Sequence, residues 1–556
     1  MKNYLIITFF LLYSLHSLAY EDGIRIAWDY NQQVFHNAGV YARIKKLRNG
    51  DLALVYSYGV DVYIKKTTVG SSIWSDPVLV SSDSLSFYNY TNAELIELDN
   101  GTLIYTWNAR PKTARTQPYK IMIKFSNDAG RTWHSEQDVY TAGNISEDGC
   151  WEPVFLQLPS GEIQLYFANE HNVESRYQNI TMLRSFNNGQ TWQTPETVAY
   201  RHGFRDGMPV PVYLQDDKGI VFAIEDNGIN GPFKPVIIHT DINDNWKSGT
   251  ITGTSSKRWH ALRSDYQLAS EIYAGAPYLI QLDTKETILS IQSAEGRQNT
   301  HTHTNSIMQV YIGDEEAKNF SRKSTPFPNI PSAGNALWNA LCQTSDSTIA
   351  AISSLSRLAE KNGVWSVTGK IIKPMESCKI EANKEKWNEK DNVFIGSESQ
   401  ASLRVKSMWD NDNLYFYFDV KDKILTIADE TAALWDTDGV EVYLDMRNTN
   451  SDAIVSGQYK LLVNIAEKTL FNRSSGSDWV NWNPQVRYTI TKNQTGYTIE
   501  ISIPWNETGG KPSAPFGVHF KLNNNDGNME SIVHENLSGG HPDSSNTWLK
   551  CSLVEM

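Results

Sequence analysis

The sequence predicts an all-β protein in two parts, a six-bladed β-propeller followed by an antiparallel β-sandwich. Three observations lead there: an eight-residue turn motif that returns at a fixed spacing, a strand–turn–strand unit that returns in step with it, and the loss of both rhythms after Pro374. At 556 residues the chain is too long for one compact core. Aromatic residues reach 11%, with 17 Trp and 27 Tyr, a composition that suits short strands and surfaces that stack on flat ligands such as sugar rings. The formal net charge of −13 argues against nucleic acid and against a polyanion held in a basic groove.

The first residues read as a processing signal. Lys2 supplies the positive start, Leu5 to Leu15 is a nearly unbroken apolar run, and Ser17-Leu18-Ala19 is a small-x-small cleavage site. The run is short for a membrane span and no basic stop-transfer cluster follows it. Residues 1–19 are therefore expected to be a signal peptide, and the mature chain to be secreted or periplasmic, without a membrane span and monomeric. Four cysteines are too few for a disulfide scaffold. Cys378 and Cys551 bracket the C-terminal segment and either bridge its two ends or remain thiols.

The turn motif is Ser126-Asn-Asp128-Ala-Gly130-Arg-Thr132-Trp133, and it returns 59 residues later as Ser185-Phe-Asn187-Asn-Gly189-Gln-Thr191-Trp192. Asp or Asn closes such a turn by accepting backbone N–H groups, Gly takes the left-handed dihedral, and Trp packs between units. Degenerate copies lie around Trp74, Asp241 to Trp246, Phe320 and Trp365. In step with it run six hairpins: Ala42–Leu47 turning at Gly50, Leu95–Leu98 at Gly101, Val154–Leu158 at Gly161, Val210–Leu214 at Gly219, Pro277–Leu282 near Lys285, and Trp338–Gln343 near Ser347. The turns are 51, 60, 58, 66 and 62 residues apart. Units of about four strands bury their faces by packing as blades around an axis, which predicts a propeller over residues 22–372.

Hairpin turns at one end of the axis place the opposite strand ends on one central pocket. Before the first strands come Arg43, Asn92, Glu94, Glu152, Met208, Tyr273 and Trp338. After the second strands come Trp107, Asn108, Arg110, Asn169, Glu170, Glu225, Asp226 and Gln292. Glycosidic cleavage needs one protonated carboxyl to serve the leaving oxygen and one ionised carboxyl to attack or to activate water. Trp151 and Pro153 would desolvate Glu152 and raise its pKa, the property of a proton donor, leaving Glu225 as the nucleophile. Otherwise Glu152 is a blade-linking carboxylate and Glu225 the ion-pair partner of Arg205 or Arg258. Glu170 and Asp206 are the next acids to consider. Arg43 and Arg110 would hold hydroxyls or orient the acids, and Trp107, Trp151, Tyr273 and Trp338 are candidate sugar platforms. His301 and His303 share a strand face but lack the third ligand that zinc requires, so no metal is assigned to the propeller.

The turn motif is the Asp-box, and with six such units the region resembles the sialidase superfamily. The segments Gly149-Cys-Trp151-Glu152-Pro153, Gly207-Met208-Pro209 and Gly275-Ala-Pro277-Tyr278-Leu279 more closely resemble glycoside hydrolase family 93, whose members are exo-acting α-L-arabinanases that release arabinobiose from arabinan. That resemblance implies Glu152 as acid/base and Glu225 as nucleophile, with retention of configuration and carboxyls about 5–5.5 Å apart. A sialidase is the main alternative. It would need an arginine triad and a Tyr nucleophile helped by Glu, and its Phe-Arg-Ile-Pro motif is only partly matched by Tyr41-Ala-Arg43-Ile44-Lys45. A propeller polysaccharide lyase and a non-catalytic glycan-binding protein are further alternatives.

Residues 379–556 show alternating strands instead, including Leu414–Val420, Gly439–Asp445, Tyr497–Ile503 and Phe516–Leu522, which reads as an antiparallel sandwich. Asn413-Leu-Tyr415-Phe-Tyr417 and Leu434-Trp435-Asp436-Thr-Asp438-Gly-Val440-Glu441 resemble carbohydrate-binding module family 9, whose members hold sugar ends between aromatic rings. The resemblance implies Trp435 as a binding residue, with Trp548, Trp479 or Trp482 as its partner. Asp436 and Asp438 either cap the strand or bind structural calcium. No other cofactor is expected; the partner is a polysaccharide or oligosaccharide.

Overall fold

The computed structural model describes residues 23–379 apart from 31–32, 69–70, 72, 114–115 and 174–176, and residues 393–554 apart from 397–400, 452, 528–531, 537–540 and 546–547. The expected signal peptide and the side chain of Cys378, hence its pairing with Cys551, lie outside the described residues. The chain divides into two compact units, Arg25–Ile371 and a second that holds Ile372–Met556.

Among the described residues, the first unit is six sheets of consecutive strands. Blade one is Val40–Lys46, Leu52–Tyr58, Asp61–Thr67 and Val78–Ser82; blade two is Phe87–Glu97, Leu103–Pro111, Lys120–Ser126 and His134–Thr141. Blade three is Cys150–Gln157, Ile163–Asn169, Asn179–Ser185 and Glu196–Tyr200, with Ile251–Thr252 added in parallel at its edge. Blade four is Asp206–Leu214, Gly219–Asp226, Lys234–Thr240 and Arg258–His260, and blade five is Ala274–Gln281, Thr287–Ser293, Ile307–Gly313 and Ser321–Ser324. Blade six takes Ala336–Ser345, Thr348–Leu358 and Lys361–Ile372 from the end of the unit and its outermost strand, Arg25–Trp28, from the beginning. The first strands touch one another in a closed ring. Mixing the two chain ends in one sheet locks that ring shut.

The Asp-boxes connect third to fourth strands. Ser126 Oγ accepts from Gly130 N at 2.8 Å, while Asp128 Oδ1 accepts from Arg131 N and Thr132 N at 3.0 and 2.9 Å. The hydrogen bonds of Thr132 hold the Asp128 carboxyl well below the usual carboxylate range. Asn187 repeats this with Thr191, and Asp244 and Asp314 cap the equivalent turns of blades four and five. Trp365, read from sequence as a degenerate copy, lies instead within the third strand of blade six. Its neighbours there alternate between buried and exposed, the pattern of a strand and not of a turn.

The six inner hairpins turn where the sequence places them. Gly50, Gly101, Gly161 and Gly219 have φ between 83° and 119°, and Lys285 holds the same left-handed region at 81°. Blade faces pack as separate apolar layers. Leu47, Val55 and Ile64 of blade one meet Leu95, Tyr105 and Trp107 of blade two, with Trp133 against the layer. Leu98, Ile104 and Phe125 meet Phe155, Leu165 and Phe167 in the next, with Trp192 against it.

In the second unit the strands follow one hydrogen-bonded path. The strand Met375–Lys379 pairs in parallel both with Leu549–Val554 and with Ala401–Trp409. It therefore joins two otherwise antiparallel halves, one built on Gly439–Asp445 and Phe516–Asn525, the other on Asn413–Asp422 and Gly496–Pro504. Phe416, Phe418, Phe520 and Ile501 fill the space between them. Asp438 accepts from Thr426 N and Asn525 N, and Asp436 from Ala433 N, so both act as backbone caps.

Replacing Trp133 by Ala removes the ring that seals blades one and two. The expected cost is about 3 kcal/mol, read as a fall in the midpoint of thermal unfolding. An unchanged midpoint would mean that this layer does not hold the blades together.

Candidate functional site

Each blade carries the same irregularity in its innermost strand. The pairing slips between Val40 and Arg43, Thr91 and Glu94, Trp151 and Val154, Gly207 and Val210, Gly275 and Tyr278, and Leu337 and Ala340. In every case two residues oppose one, which is a β-bulge. The first bulged residue is left-handed each time: Tyr41, Asn92, Glu152, Met208, Ala276 and Trp338, with φ from 44° to 58°. Tyr41, Met208, Ala276 and Trp338 meet in one apolar cluster although they come from four blades. These residues line the axis, and Glu152 is the acid among them.

Beneath them the axis is filled. Arg43 is buried; it donates to the carbonyls of Ala42, Trp338 and Asn339 at 3.0 to 3.4 Å and lies 4.1 Å from the Tyr41 ring centroid. Lys45 pairs with Glu94 at 3.0 Å and donates to Tyr278 Oη at 3.0 Å. A cavity of about 10 Å³ remains between Tyr41, Arg43, Glu94, Glu152, Met208 and Pro277, room for about one water.

Glu225 ends the second strand of blade four, opposite Gly207. Its Oε2 accepts from Ala276 N of blade five at 2.8 Å, and the Tyr273 hydroxyl lies beside the same carboxylate across Gly275. A Cβ at Gly275 would collide with both Glu225 Oε2 and the Tyr273 hydroxyl, so glycine there makes room for the pair. Burial raises the Glu225 pKa, opposed by the Ala276 N–H, Arg205 and Tyr273. Glu152 differs. Burial, reinforced by the charge of Glu225, pushes it up to about 8, with Arg110 and Arg205 pulling the other way. Its Oε2 is buried without a hydrogen-bond partner among the described residues. An acid whose pKa is strongly raised next to a carboxylate that accepts a backbone N–H is an arrangement that can deliver a proton and supply a negative charge in one site.

The rim is held by a second network. Trp151 Nε1 donates to Glu170 Oε2 at 3.0 Å, Arg205 pairs with Glu170 Oε1 at 3.0 Å, and the Arg110 guanidinium lies 5.0 Å from the Trp151 ring centroid. Arg110 Nε in turn donates to Asn108 Oδ1 at 3.1 Å. In the second unit, Trp435 is 40% exposed, with Lys460 Nζ 5.8 Å from its ring. Lys460 and Lys521 both pair with the buried Glu441, holding its carboxyl at about 2 against the upward pull of burial.

Residues 101–270 match the BNR repeat-like domain and residues 381–553 the carbohydrate family 9 binding domain-like family. Endo-1,4-beta-xylanase A of Thermotoga neapolitana is 27% identical over 192 residues, 34% of this chain and 17% of that protein, so the chain spans less than a fifth of that relative's length. The GH93 α-L-arabinofuranosidase of Fusarium graminearum, solved with arabinobiose, is 16% identical over 60% of this chain and 93% of its own, with a TM-score of 0.46. A family 9 module of Caldicellulosiruptor kristjanssonii, solved with cellotriose, is 18% identical over 33% and 94%, with a TM-score of 0.28.

Of the residues singled out from sequence, Glu152, Glu225, Trp151, Arg110, Glu170, Tyr273 and Trp338 gather at the axial site of the BNR-type propeller. Met208, Glu94 and Arg43 border the small cavity beside Glu152, whereas several others do not reach the site. Trp107 is fully buried and packs on Tyr90 and Tyr105, so it is core and not a platform. Asn108 and Asn169 are fully buried as well; Asn108 Nδ2 donates to the Cys150 carbonyl at 2.7 Å, and Asn169 Nδ2 to Tyr140 Oη at 2.8 Å. Asp206 is consumed by Arg258, which also binds Asp226, while Arg201 pairs with the same Asp226 oxygen. Arg43 borders the cavity beside Glu152, but its guanidinium is taken up by backbone carbonyls and by Glu94 at 3.7 Å. In the family 9-like domain Trp548 is fully buried, stacked on His519 and donating to the His541 carbonyl, so it is not a sugar-facing ring.

Sequence reasoning missed Tyr41 and Ala276 on the axis. The signal was present: the left-handed residue lies nine positions before the hairpin turn in five blades, as Tyr41 before Gly50, Asn92 before Gly101, Glu152 before Gly161, Ala276 before Lys285 and Trp338 before Ser347. His303 turns out to face the Tyr273 ring, with centroids 6.1 Å apart.

The raised pKa of Glu152 has a consequence for stability. The folded chain holds this proton more tightly than the unfolded chain, so its contribution is fully present below about 4.5 and is lost as pH rises through about 8. Glu152→Gln is expected to melt higher than the parent at about pH 8, with the gap closing near pH 4.5. Parallel melting curves across that range would show that Glu152 ionises freely.

Proposed function

We propose that the propeller is a secreted, exo-acting glycoside hydrolase of plant polysaccharide that releases arabinobiose or a short oligosaccharide from α-1,5-arabinan by a retaining, two-carboxylate mechanism. The observation that carries this reading is the Glu152–Glu225 pair, one acid buried with its Oε2 unpartnered and its pKa pushed up to about 8, the other held by the Ala276 N–H beside the Tyr273 hydroxyl. Glu152 delivers its proton to the glycosidic oxygen while Glu225 attacks the anomeric carbon to form a glycosyl ester. Glu152, now ionised, then takes a proton from the water that cleaves the ester. Trp151 and Trp338 offer partly exposed rings beside the pair.

The Tyr273–Glu225 pair also fits the nucleophile of a sialidase. The arginines favour the first reading: Arg43 is spent on backbone carbonyls, Arg258 on Asp206 and Asp226, and Arg263 pairs with Asp265, leaving Arg110 and Arg205 at the rim. The family 9-like domain would hold polymer near the pocket and raise its effective concentration there.

Chromatography of products from debranched arabinan should give arabinobiose alone, initially as the retained anomer by NMR. Glu152→Gln and Glu225→Gln should each lose about 10²–10⁴ in kcat. The pH profile should be bell-shaped, with its alkaline limb near 8 set by Glu152. A ladder of lengths, unsaturated products absorbing in the ultraviolet, or cleavage of a sialoside without arabino-oligosaccharide release would overturn the assignment.

In affinity gels containing arabinan or xylan, Trp435→Ala should migrate as freely as in a gel without polysaccharide. Retardation equal to the parent's would move the binding face elsewhere.

A further inference from the structure

Gln292 ends the second strand of blade five, in the place that Glu225 holds in blade four: each faces the glycine that precedes the bulge, Gly275 and Gly207 respectively. Each also accepts from the bulge N–H of the following blade. Glu225 Oε2 takes Ala276 N at 2.8 Å, Gln292 Oε1 takes Trp338 N at 2.9 Å, and Ser354 of blade six, again facing the residue before its bulge, takes Tyr41 N at 2.9 Å. Capping the next bulge is therefore a repeated structural duty of this position. Gln292 does something more. Its Nε2 donates to Tyr273 Oη at 2.8 Å.

The direction of that bond is settled by the other end of the amide. A backbone N–H can only donate, so the atom facing Trp338 N must be the carbonyl oxygen, and the atom facing Tyr273 must be the amide nitrogen. The Tyr273 oxygen thus receives a hydrogen from Gln292, and its own hydrogen is left to point at Glu225. Gln292 is buried, so no solvent reorientation competes.

We propose that Gln292 is a positioning residue for the reaction: by fixing its amide against the blade-six bulge, it commits the Tyr273 hydroxyl to donate to Glu225 and keeps that carboxylate ionised and aimed. The inference rests on Glu225 being the nucleophile proposed above. Its physical content, that one hydroxyl hydrogen is oriented by a backbone amide two blades away from the acid it serves, can be measured without substrate.

The test follows the carboxyl titration of Glu225 by infrared difference spectroscopy, its band identified as the one missing in Glu225→Gln. Tyr273→Phe should raise the apparent pKa by about one unit, through loss of a donor to the charged form. Gln292→Met should raise it in the parent but produce no further rise in the Tyr273→Phe background, since the path runs through the phenol. If Gln292→Met does not fold, Gln292→Glu keeps an acceptor for Trp338 N–H. It would take the phenol hydrogen for itself, so it must shift the titration more in the parent than in Tyr273→Phe. On a chromogenic arabinobioside, the acid limb of kcat should move with the infrared value while KM stays within about twofold. Equal shifts in both backgrounds, or none, would reduce Gln292 to a bulge cap. If Glu225→Gln remains active while the infrared shifts appear, the hydrogen-bond path stands and the nucleophile assignment falls.

Discussion

In every blade the strand nearest the axis leaves its pairing for two residues so that one side chain can turn out of the sheet. That turn requires a left-handed backbone, a conformation that disfavours any residue with a Cβ. Six non-glycine residues adopt it at the same place, Tyr41, Asn92, Glu152, Met208, Ala276 and Trp338. The bulge is what converts six edge-on sheets into a ring of side chains around a point. Without it, alternation along the strand would bury position 152 between blades, and the carboxyl would meet apolar neighbours instead of the axis.

The electrostatics follow from that placement. A carboxyl carried to the axis by a bulge is buried among Pro153, Met208, Pro277, Tyr41, Arg43 and Glu94 with its Oε2 unpartnered, and burial together with the charge of Glu225 raises its pKa. Glu225 approaches along a regular strand, where the next blade's free N–H is waiting for it. The two acids differ because one sits on the irregular residue of its blade and the other beside it. Arg205 moderates both and is tied back by Glu170, so the positive charge at the rim is itself fixed in position.

Much of the fold was legible beforehand because Asp-boxes and hairpin glycines are local devices. A turn that needs φ near 80° and an acceptor for two N–H groups announces itself in a few adjacent residues, as at Asp128 and Gly130. The errors share one cause. Trp107, Asn108, Asn169 and Asp206 all lie at the strand ends where topology puts the pocket, yet the first three face sideways toward the neighbouring blade and Asp206 is held by Arg258 within its own. A strand end reveals the height of a residue along the axis, whereas its facing depends on the bulge count between it and the pocket. Trp548 failed for a related reason: an aromatic ring in a binding module is as useful for filling the core as for stacking on a ligand.

From its sequence alone this chain declared two β architectures, the number and spacing of its hairpins, and the two glutamates worth testing, since these depend on short-range patterns and on which residue types can carry acid–base chemistry. Tertiary structure decided the rest: that burial and the charge of Glu225 raise the Glu152 pKa, that Asp206 belongs to Arg258, that Gln292 donates to Tyr273. Each of those outcomes depends on atoms brought together from strands that are not adjacent in the chain, and the free energy of a buried charge is set by such neighbours rather than by the residues next to it in sequence.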